Sequence, residues 1–463
     1  MLTYSFTNLK NESLYMHLYQ CIRQDIVDGK LVSGEKLPSK RSFAKNLGVS
    51  TITIENAYAQ LLSEGYIYSI PKKGFYVSDF KNNVIKPVKL TTENVKLSSG
   101  QSDFLADFSS NQTRPENFPF SIWAKLMRET FNTNSPELMT KPPCGGIMGL
   151  RQAIATHLEQ FRGMHVQPEQ IFIGAGTEYL YGLLIQLLGF DKKYAIENPG
   201  YEKIAAIYNS YNVAYHYIPM DNNGILVDEL EKSEADVVHI SPSHHFPTGI
   251  VTPISRRYEL LGWAAASTDR YIIEDDYDSE FRYQGKPIPA MQGLDDGENV
   301  IYTGTFSKAI APAIRVCYMV LPQKLVKQYQ KIGRTFSCAV SRIDQKVLTM
   351  FLTEGHFEWH LNRMRNIYKE KHDQLIISLR KLESKIKIYG HGAGAHIIVS
   401  FPVNDPYKFQ KELKQRGVMI YPLSWYYIEG KPSTEEYILG FTRMKKEDMI
   451  RGIEIIREVL YSK

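Results

Sequence analysis

The sequence predicts an α/β chain: a large domain built on a mostly parallel sheet, with a smaller C-terminal α/β subdomain, preceded by a small helix–turn–helix module ending in a hairpin. Three observations predict it. Residues 13–77 carry two capped helix starts around a glycine turn, then two short strand-like runs. From about residue 104 helical runs alternate with apolar runs that end in polar or glycine-rich residues: IFIGAG, YAIENPG, VVHISPS, YIIEDDYD and VIYTGTFSK. After about Gly333 long helices lead to HGAGAHIIVSF and an αβ-like tail.

The elements follow in order. Leu14, Leu18, Ile22 and Ile26 recur every four residues over 13–28 and form one apolar helix face, with Gly29 as its stop. Ser39 caps a short helix carrying Phe43, Ala44 and Leu47, and Gly48 makes the turn. Ser50 caps a second helix whose Ile54, Ala57, Leu61 and Leu62 face inward, and Gly65 ends it. Residues 66–70 and 74–77 form a hairpin, with Pro71, Lys72 and Lys73 at its tip. The stretch 79–103 is rich in Lys, Asn, Ser and Thr and nearly aperiodic; it reads as an interdomain linker or as an ordered loop on the large domain. The expected boundaries are 1–80 for the small module, 81–103 for the linker and 104–463 for the large domain.

Composition narrows the functional classes. A chain of 463 residues has room for about three domains. Its 43% apolar and 23% charged content is that of a folded soluble protein, and a net charge of +5 is too small to imply nucleic-acid binding without a local basic surface. Cys21, Cys144, Cys317 and Cys338 are far apart and form no C-x-x-C pair, which argues against a zinc site or a disulfide framework and for a reducing cytoplasm. The start MLTYSFTNLKNESLY lacks the pattern of a signal peptide, and no apolar stretch is long enough to cross a bilayer, so a cytoplasmic protein without a membrane partner is expected.

Three segments carry chemistry. In GTFSKAIAPAIR, residues 304–315, Thr305, Ser307, Lys308 and Arg315 lie at and just after a strand end. A lysine there can form a Schiff base with a carbonyl, and hydroxyls beside an arginine can hold a phosphate dianion. By itself the segment reads slightly better as a surface Ser-Lys turn before a proline-broken helix. In IIEDDYDSEFRY, residues 272–283, the four acidic residues of EDDYD follow an apolar strand, and such crowding needs a purpose or good solvation. A carboxylate opposite a pyridine nitrogen, with a tyrosine two residues on, supplies a purpose; alone, such a run is more often a solvated loop or a cation site. In GAGTEYL, residues 174–180, small residues lead from a strand into a helix whose first N–H groups, with Thr177, can bind phosphate.

Together with ENPGY, SPSHHFPTG and EGHFEWHLNRMRNIY, these segments resemble fold type I aminotransferases, and most specifically the MocR/GabR subfamily of GntR regulators, in which a winged helix-turn-helix is joined to a fold type I domain. The resemblance covers nearly the whole chain. It implies pyridoxal 5′-phosphate (PLP) as cofactor and Lys308 as the aldimine lysine. It further implies Asp275 at the pyridine nitrogen, Tyr277 at the ring hydroxyl, and Gly176, Thr177, Thr305, Ser307 and Arg315 at the phosphate. Tyr201 is placed by the ring or the effector, and His245 near the ring, a core or loop histidine being an equal reading for the latter.

The pattern also departs from its relatives. Ile438 stands where many carry an arginine that grips a substrate carboxylate, and Lys203 stands just after PGY where a basic or arginine residue is common. Lys141 stands where a tyrosine meets the cofactor phosphate across a subunit interface. Lysine cannot copy the planar fork of arginine, so these departures argue against efficient transamination while leaving cofactor binding intact. His356 and His360 share a helix face at a spacing that can bind zinc, but no third ligand follows, and no metal is expected.

In the small module the second helix is expected to enter the major groove of double-stranded operator DNA, with Ser50, Thr51, Thr53 and Asn56 near its start. Ser39, Lys40 and Arg41 before the turn and Lys72 and Lys73 at the wing tip suit phosphates. A helical protein-interaction module is the competing reading of the pattern alone. The resemblance implies a sequence-specific transcription regulator, a homodimer, that senses PLP or a small amino compound and controls vitamin B6 synthesis or amino-compound metabolism. The alternative is a working PLP-dependent aminotransferase with an appended DNA-binding module.

Overall fold

The computed structural model describes residues 2–6, 13–79, 104–109, 113–133, 135–283, 288–333, 337–382, 386–390, 392–428 and 435–461. The chain divides into two compact units, Met1–Gly100 and Gln101–Lys463, each taken by itself below. The linker expected over 81–103 lies outside the described residues.

The small unit runs α1 (Leu14–Val27), α2 (Lys40–Leu47), α3 (Thr51–Ser63), β1 (Ile67–Ile70) and β2 (Gly74–Val77). The side chain of Ser39 accepts the N–H of Ser42, and that of Ser50 the N–H of Thr53, so each helix start gains a partner for a first-turn donor. Gly48, at φ +68°, makes the left-handed turn between them. Leu18, Ile22, Ile26, Phe43, Ile54, Ala57 and Leu61 form the core. Two expectations shift. Leu14, on the first turn of α1, is 40% exposed, beyond the end of the core. On α3 the stripe centres on positions 54, 57, 58 and 61, so Leu62 falls at its edge and Tyr58 is buried instead, its hydroxyl donating to the Pro38 carbonyl at 2.9 Å. β1 and β2 pair antiparallel from Ile67↔Val77 to Ile70↔Gly74.

The large unit opens with β3 (Ala106–Asp107), α4 (Phe120–Asn132) and α5 (Met148–Arg162). Then come β4 (Ile171–Gly174), α6 (Thr177–Leu188), β5 (Tyr194–Asn198), α7 (Glu202–Ser210), β6 (Tyr215–Asp221), β7 (Gly224–Ile225), α8 (Val227–Lys232), β8 (Val237–Ile240), α9 (Ile254–Ala265), β9 (Tyr271–Asp276), β10 (Val300–Thr305), α10 (Phe306–Ala309) and β11 (Cys317–Val320). These strands make one eight-stranded sheet, ordered β4-β11-β10-β9-β8-β5-β6-β7. The run from β10 to β6 is parallel; β11, between β10 and β4, is antiparallel to both, and β7 pairs antiparallel with β6. The carboxyl ends of β4, β5, β8, β9 and β10 therefore share one edge, the place where open α/β sheets bind ligands.

Helices cover both faces. Ile171 and Ile173 of β4 pack with Leu126 of α4 and Ile154 of α5, whereas Phe172 between them packs with Leu184 of α6 and Tyr208 of α7. The chain continues through α11 (Gln323–Gly333), α12 (Arg342–Thr353), α13 (His356–Arg380), β12 (Lys387–Tyr389), β13 (His396–Ser400), α14 (Pro406–Gln415), β14 (Val418–Met419), β15 (Tyr421–Pro422), β16 (Glu436–Gly440) and α15 (Lys446–Tyr461). The antiparallel sheet β12-β13-β16-β15 and its helices form the smaller subdomain expected after Gly333. That subdomain also recruits the start of the large unit. Ala106 and Phe108 are fully buried in its core, and β3 pairs parallel with β14. Among the described residues no helix is long and apolar enough to cross a membrane.

Candidate cofactor site and DNA-reading surface

The shared strand edge opens into a cavity of about 520 Å³. Of the residues expected at a cofactor, Thr177, Tyr201, Asp275, Tyr277, Thr305, Ser307, Lys308 and Arg315 line it. They come from four strand ends and the turns that follow, and no stretch of sequence holds them all.

At one end of the cavity are hydroxyls and a guanidinium. Thr177 opens α6; Thr305 caps α10, its hydroxyl accepting the Ser307 N–H at 3.1 Å. Gly176 does not itself line the cavity. A Cβ there would collide with the Arg315 guanidinium, so the missing side chain is what lets the arginine lie over the turn; its φ of +103° also favours glycine. Cys317 braces the same turn, accepting the Gly176 N–H at 3.1 Å and facing the Gly174 carbonyl at 3.2 Å. In this structure Arg315 donates to Glu178 at 2.5 Å, and Lys203 pairs with the other oxygen of that carboxylate.

Lys308 lines the same cavity. Burial lowers its pKa below that of an ordinary lysine, an effect the carboxylate of Asp278 opposes, so the amine loses its proton more readily and becomes a better nucleophile. The Lys308 carbonyl accepts from Thr113 at 3.4 Å, and Thr113 in turn accepts from Tyr368 of α13 at 3.1 Å. His360, the zinc-spaced histidine, is used to hold the Ala309 carbonyl at 3.0 Å, and His356 lies against Glu354 at 3.4 Å.

The acidic cluster is resolved by strand alternation. Along β9, Glu274 and Asp276 point to one face and Asp275 to the other. Glu274 accepts the N–H groups of Met291 and Gln292 at 2.9 and 3.0 Å. Asp276 pairs with buried Arg162 at 3.0 Å and accepts from Tyr302 at 2.5 Å. Asp275 is left facing the cavity, with the Thr303 hydroxyl at 3.5 Å and His239 Nε2 at 3.9 Å. Asp278 pairs with His244 at 2.9 Å, and the Tyr277 hydroxyl lies 3.1 Å from the same imidazole nitrogen.

His245 is not among the lining residues. It is buried behind the wall, 2.7 Å from the Thr248 hydroxyl and 3.4 Å from Glu197, and burial pushes its pKa down to about 3, so it stays neutral. Glu197, at the end of β5, does line the cavity, and the sequence reading assigned it no role. Burial, opposed by the Ser241 N–H and aided by Asp275, raises its pKa to about 8. Also unassigned were His239, Asp278 and His396, which line the cavity, and the aromatic wall of Phe246 and Tyr426, whose rings meet at 5.2 Å. ENPGY placed Glu197 at a strand end and so carried a signal; His396, brought in from β13, had none. Lys141 is exposed, and its carbonyl accepts from Arg342 at 2.9 Å. Ile438 is buried beside Ile398 and Leu423 in an apolar cluster.

In the small unit Ser39, Arg41, Ser50, Thr51, Asn56, Lys72 and Lys73 are exposed, and Thr53 is half-buried. The hydroxyls of Ser50 and Thr53 lie 2.8 Å apart and serve the cap of α3. Lys40 is less available than expected, since it pairs with Glu55 of α3 at 2.6 Å and lies over the Phe75 ring. Ile52, 68% exposed on the first turn of α3, escaped the sequence reading because apolar residues on a helix are assigned inward by default.

A small unit with this helix–turn–helix and hairpin, joined to a large unit with a lysine-centred pocket at the strand ends, defines a DNA-binding regulator fused to an aminotransferase-like domain. Comparison with known proteins agrees. Residues 103–438 match the family described as aminotransferase class I and II, and residues 14–77 match the bacterial regulatory proteins of the gntR family. The HTH-type transcriptional regulator YdeL of Bacillus subtilis is 35% identical, over 96% of each chain. The HTH-type pyridoxine biosynthesis transcriptional regulator PdxR of Corynebacterium glutamicum is 29% identical, over 95% of this chain and 94% of its own. The kynurenine aminotransferase of Pyrococcus horikoshii, at 24% identity, superposes with a TM-score of 0.69 over 78% of this chain and 91% of its own, a likeness of fold. The chain belongs to the MocR/GabR-type subfamily of GntR transcription regulators. The aminotransferase class I and II family is PLP-dependent, and GntR-family regulators bind operator DNA.

Proposed function

We propose that the large unit binds PLP through Lys308 and that PLP, or a primary amine that competes with Lys308 for it, changes the affinity of the small unit for its operator. One observation carries the reading: the Lys308 amine, the Asp275 carboxylate and the Thr177–Thr305–Ser307–Arg315 group line one cavity at the carboxyl edge of the sheet. The residues fit the cofactor. Gly176 leaves the space over which Arg315 lies, and that guanidinium with three hydroxyls suits a phosphate dianion. In this reading Asp275 would keep a ring nitrogen protonated, and Tyr277 would face a ring hydroxyl. PLP, when bound, supplies an aldehyde carbon for amines and an electron-withdrawing ring. Lys308 supplies the nucleophile, and Phe246 and Tyr426 give the same cavity an apolar wall.

The departures found in the sequence favour sensing over turnover. At position 438 an isoleucine packs against Ile398 and Leu423, so that position offers no guanidinium to a substrate carboxylate. The relative from Corynebacterium, named for pyridoxine biosynthesis, supports PLP itself as effector and vitamin B6 synthesis as the controlled process. We read the working form as a cytoplasmic homodimer, because two small units on paired half-sites multiply the contacts of one. A coupling of about 1–3 kcal/mol between the two ligands suffices for a useful response.

The test is titration of PLP and candidate amines with absorbance and operator-region DNA binding read together. Lys308→Ala is expected to abolish the visible absorbance of lysine-bound PLP and the response of DNA binding to PLP, while DNA affinity without PLP stays within about twofold of the parent's, the scale of a change below 0.5 kcal/mol. An unchanged absorbance removes Lys308 from the account. Rapid multiple turnover between an amino acid and a keto acid would instead establish an enzyme.

A further inference from the structure

The cation at the phosphate end of the cavity is already committed. Glu178, on the first turn of α6, places one carboxylate oxygen on Arg315 and the other on Lys203. Arg315 comes from the turn after α10, Lys203 from the start of α7, and both line the cavity. The three groups form a bridge that joins two lining cations through Glu178, which itself does not line the cavity, and the bridge is partly open to solvent, with side-chain exposures of 51%, 37% and 44% for Arg315, Glu178 and Lys203. A helix N-terminus favours a carboxylate at this position, so Glu178 is at home there without any ligand. It is nevertheless the group with which an incoming phosphate must compete.

We propose that Glu178 is the specificity-determining residue of the phosphate end: it holds Arg315 when no dianion is present and, retained by Lys203, yields Arg315 to a phosphate dianion but not to a weaker anion. This rests on the reading of the cavity as a PLP site. A charge-assisted hydrogen bond to a carboxylate is about as strong as one to any singly charged oxygen acid, so a monoanion gains nothing by displacing it. A dianion does gain. Lys203 makes the exchange possible, because Glu178 need not be left without a counter-ion when Arg315 turns away. The hydrogen bond from Lys203 holds the carboxyl of Glu178 below its usual range; burial opposes it and Arg315 adds to the lowering, so at neutral pH it competes as a full charge.

The experiment compares the intact protein with Glu178→Gln, Lys203→Met and the double variant. PLP and unphosphorylated pyridoxal are followed by absorbance. Inorganic phosphate is followed by calorimetry in a Lys308→Ala background. Glu178→Gln is expected to tighten PLP and inorganic phosphate about tenfold and leave pyridoxal unchanged. Lys203→Met, which leaves Glu178 with Arg315 alone, is expected to weaken PLP several-fold, and the double variant to return to the Glu178→Gln value. Equal or weaker PLP binding by Glu178→Gln, or an equal change for pyridoxal, overturns the proposal and makes Glu178 a buttress for Arg315. If phosphate tightens in Glu178→Gln while PLP gives no absorbance in any protein carrying Lys308, the role of Glu178 stands and the Lys308 reading falls.

Discussion

Glu197 and His245 show how burial decides protonation one residue at a time. They lie 3.4 Å apart, yet burial holds His245 neutral by pushing its pKa to about 3 and holds the proton on Glu197 up to about pH 8. The contact is therefore a carboxylic acid beside a neutral imidazole. The unfolded chain gives up the Glu197 proton near pH 4.3, whereas the folded chain keeps it to about pH 8. The folded state binds more protons across that window, so the contribution of Glu197 is complete below about pH 4 and is lost as pH rises toward 8. Glu197→Gln should remove this dependence. We expect it to match the parent protein at pH 5 and to exceed it at pH 8 by on the order of 3 kcal/mol, read from urea unfolding of the large unit without PLP. Equal pH slopes in the two proteins would show that the carboxyl is solvated.

At the scale of elements, strand alternation and helix caps do the positioning. β9 turns Asp275 toward the cavity only because Glu274 and Asp276, on the other face, are neutralised by backbone N–H groups and Arg162. Asp276→Asn leaves the Arg162 guanidinium buried without its counter-charge, and a loss of about 3 kcal/mol or more in the stability of the large unit is expected in chemical denaturation. In the small unit Ser50 closes the first turn of α3, so Ser50→Ala should lower that unit's stability by about 1 kcal/mol, with Ser50→Asp close to the parent. An alanine variant with an unchanged unfolding transition would show that Thr53 or water takes over the cap. The caps were legible because Ser39 and Ser50 act on N–H groups three residues ahead. The fate of the acidic run was not legible, because Arg162 and Tyr302 reach it from distant positions.

For the whole molecule, regulation requires that a ligand on one unit be read as a change in DNA affinity of the other. The DNA term can be measured directly. Each basic side chain that neutralises a phosphate adds about −0.9 to the slope of log K against log salt. Replacing Arg41, Lys72 or Lys73 by alanine should each flatten that slope by about 0.9. Replacing Lys40 should change it less, because its amine is paired with Glu55. Equal effects at all four positions would mean that the Lys40–Glu55 pair opens on DNA.

Local order was written in the sequence. Caps at Ser39 and Ser50, the turn at Gly48, the hairpin, and the strand-then-polar rhythm of the large unit all depend on residues a few positions apart. The strand-end positions of Lys308, Asp275, Tyr277 and Arg315 were local too, but it was the family resemblance that singled these residues out, and all four line the cavity. What only the folded chain decided were the encounters between distant segments. These are Ala106 and Phe108 entering the C-terminal core, His396 and Thr113 reaching the cavity, His245 withdrawn behind it, and Glu178 claiming Arg315. Periodicity and capping are short-range properties of a chain, whereas burial, pairing and the pKa values that follow from them depend on which remote surfaces exclude water together.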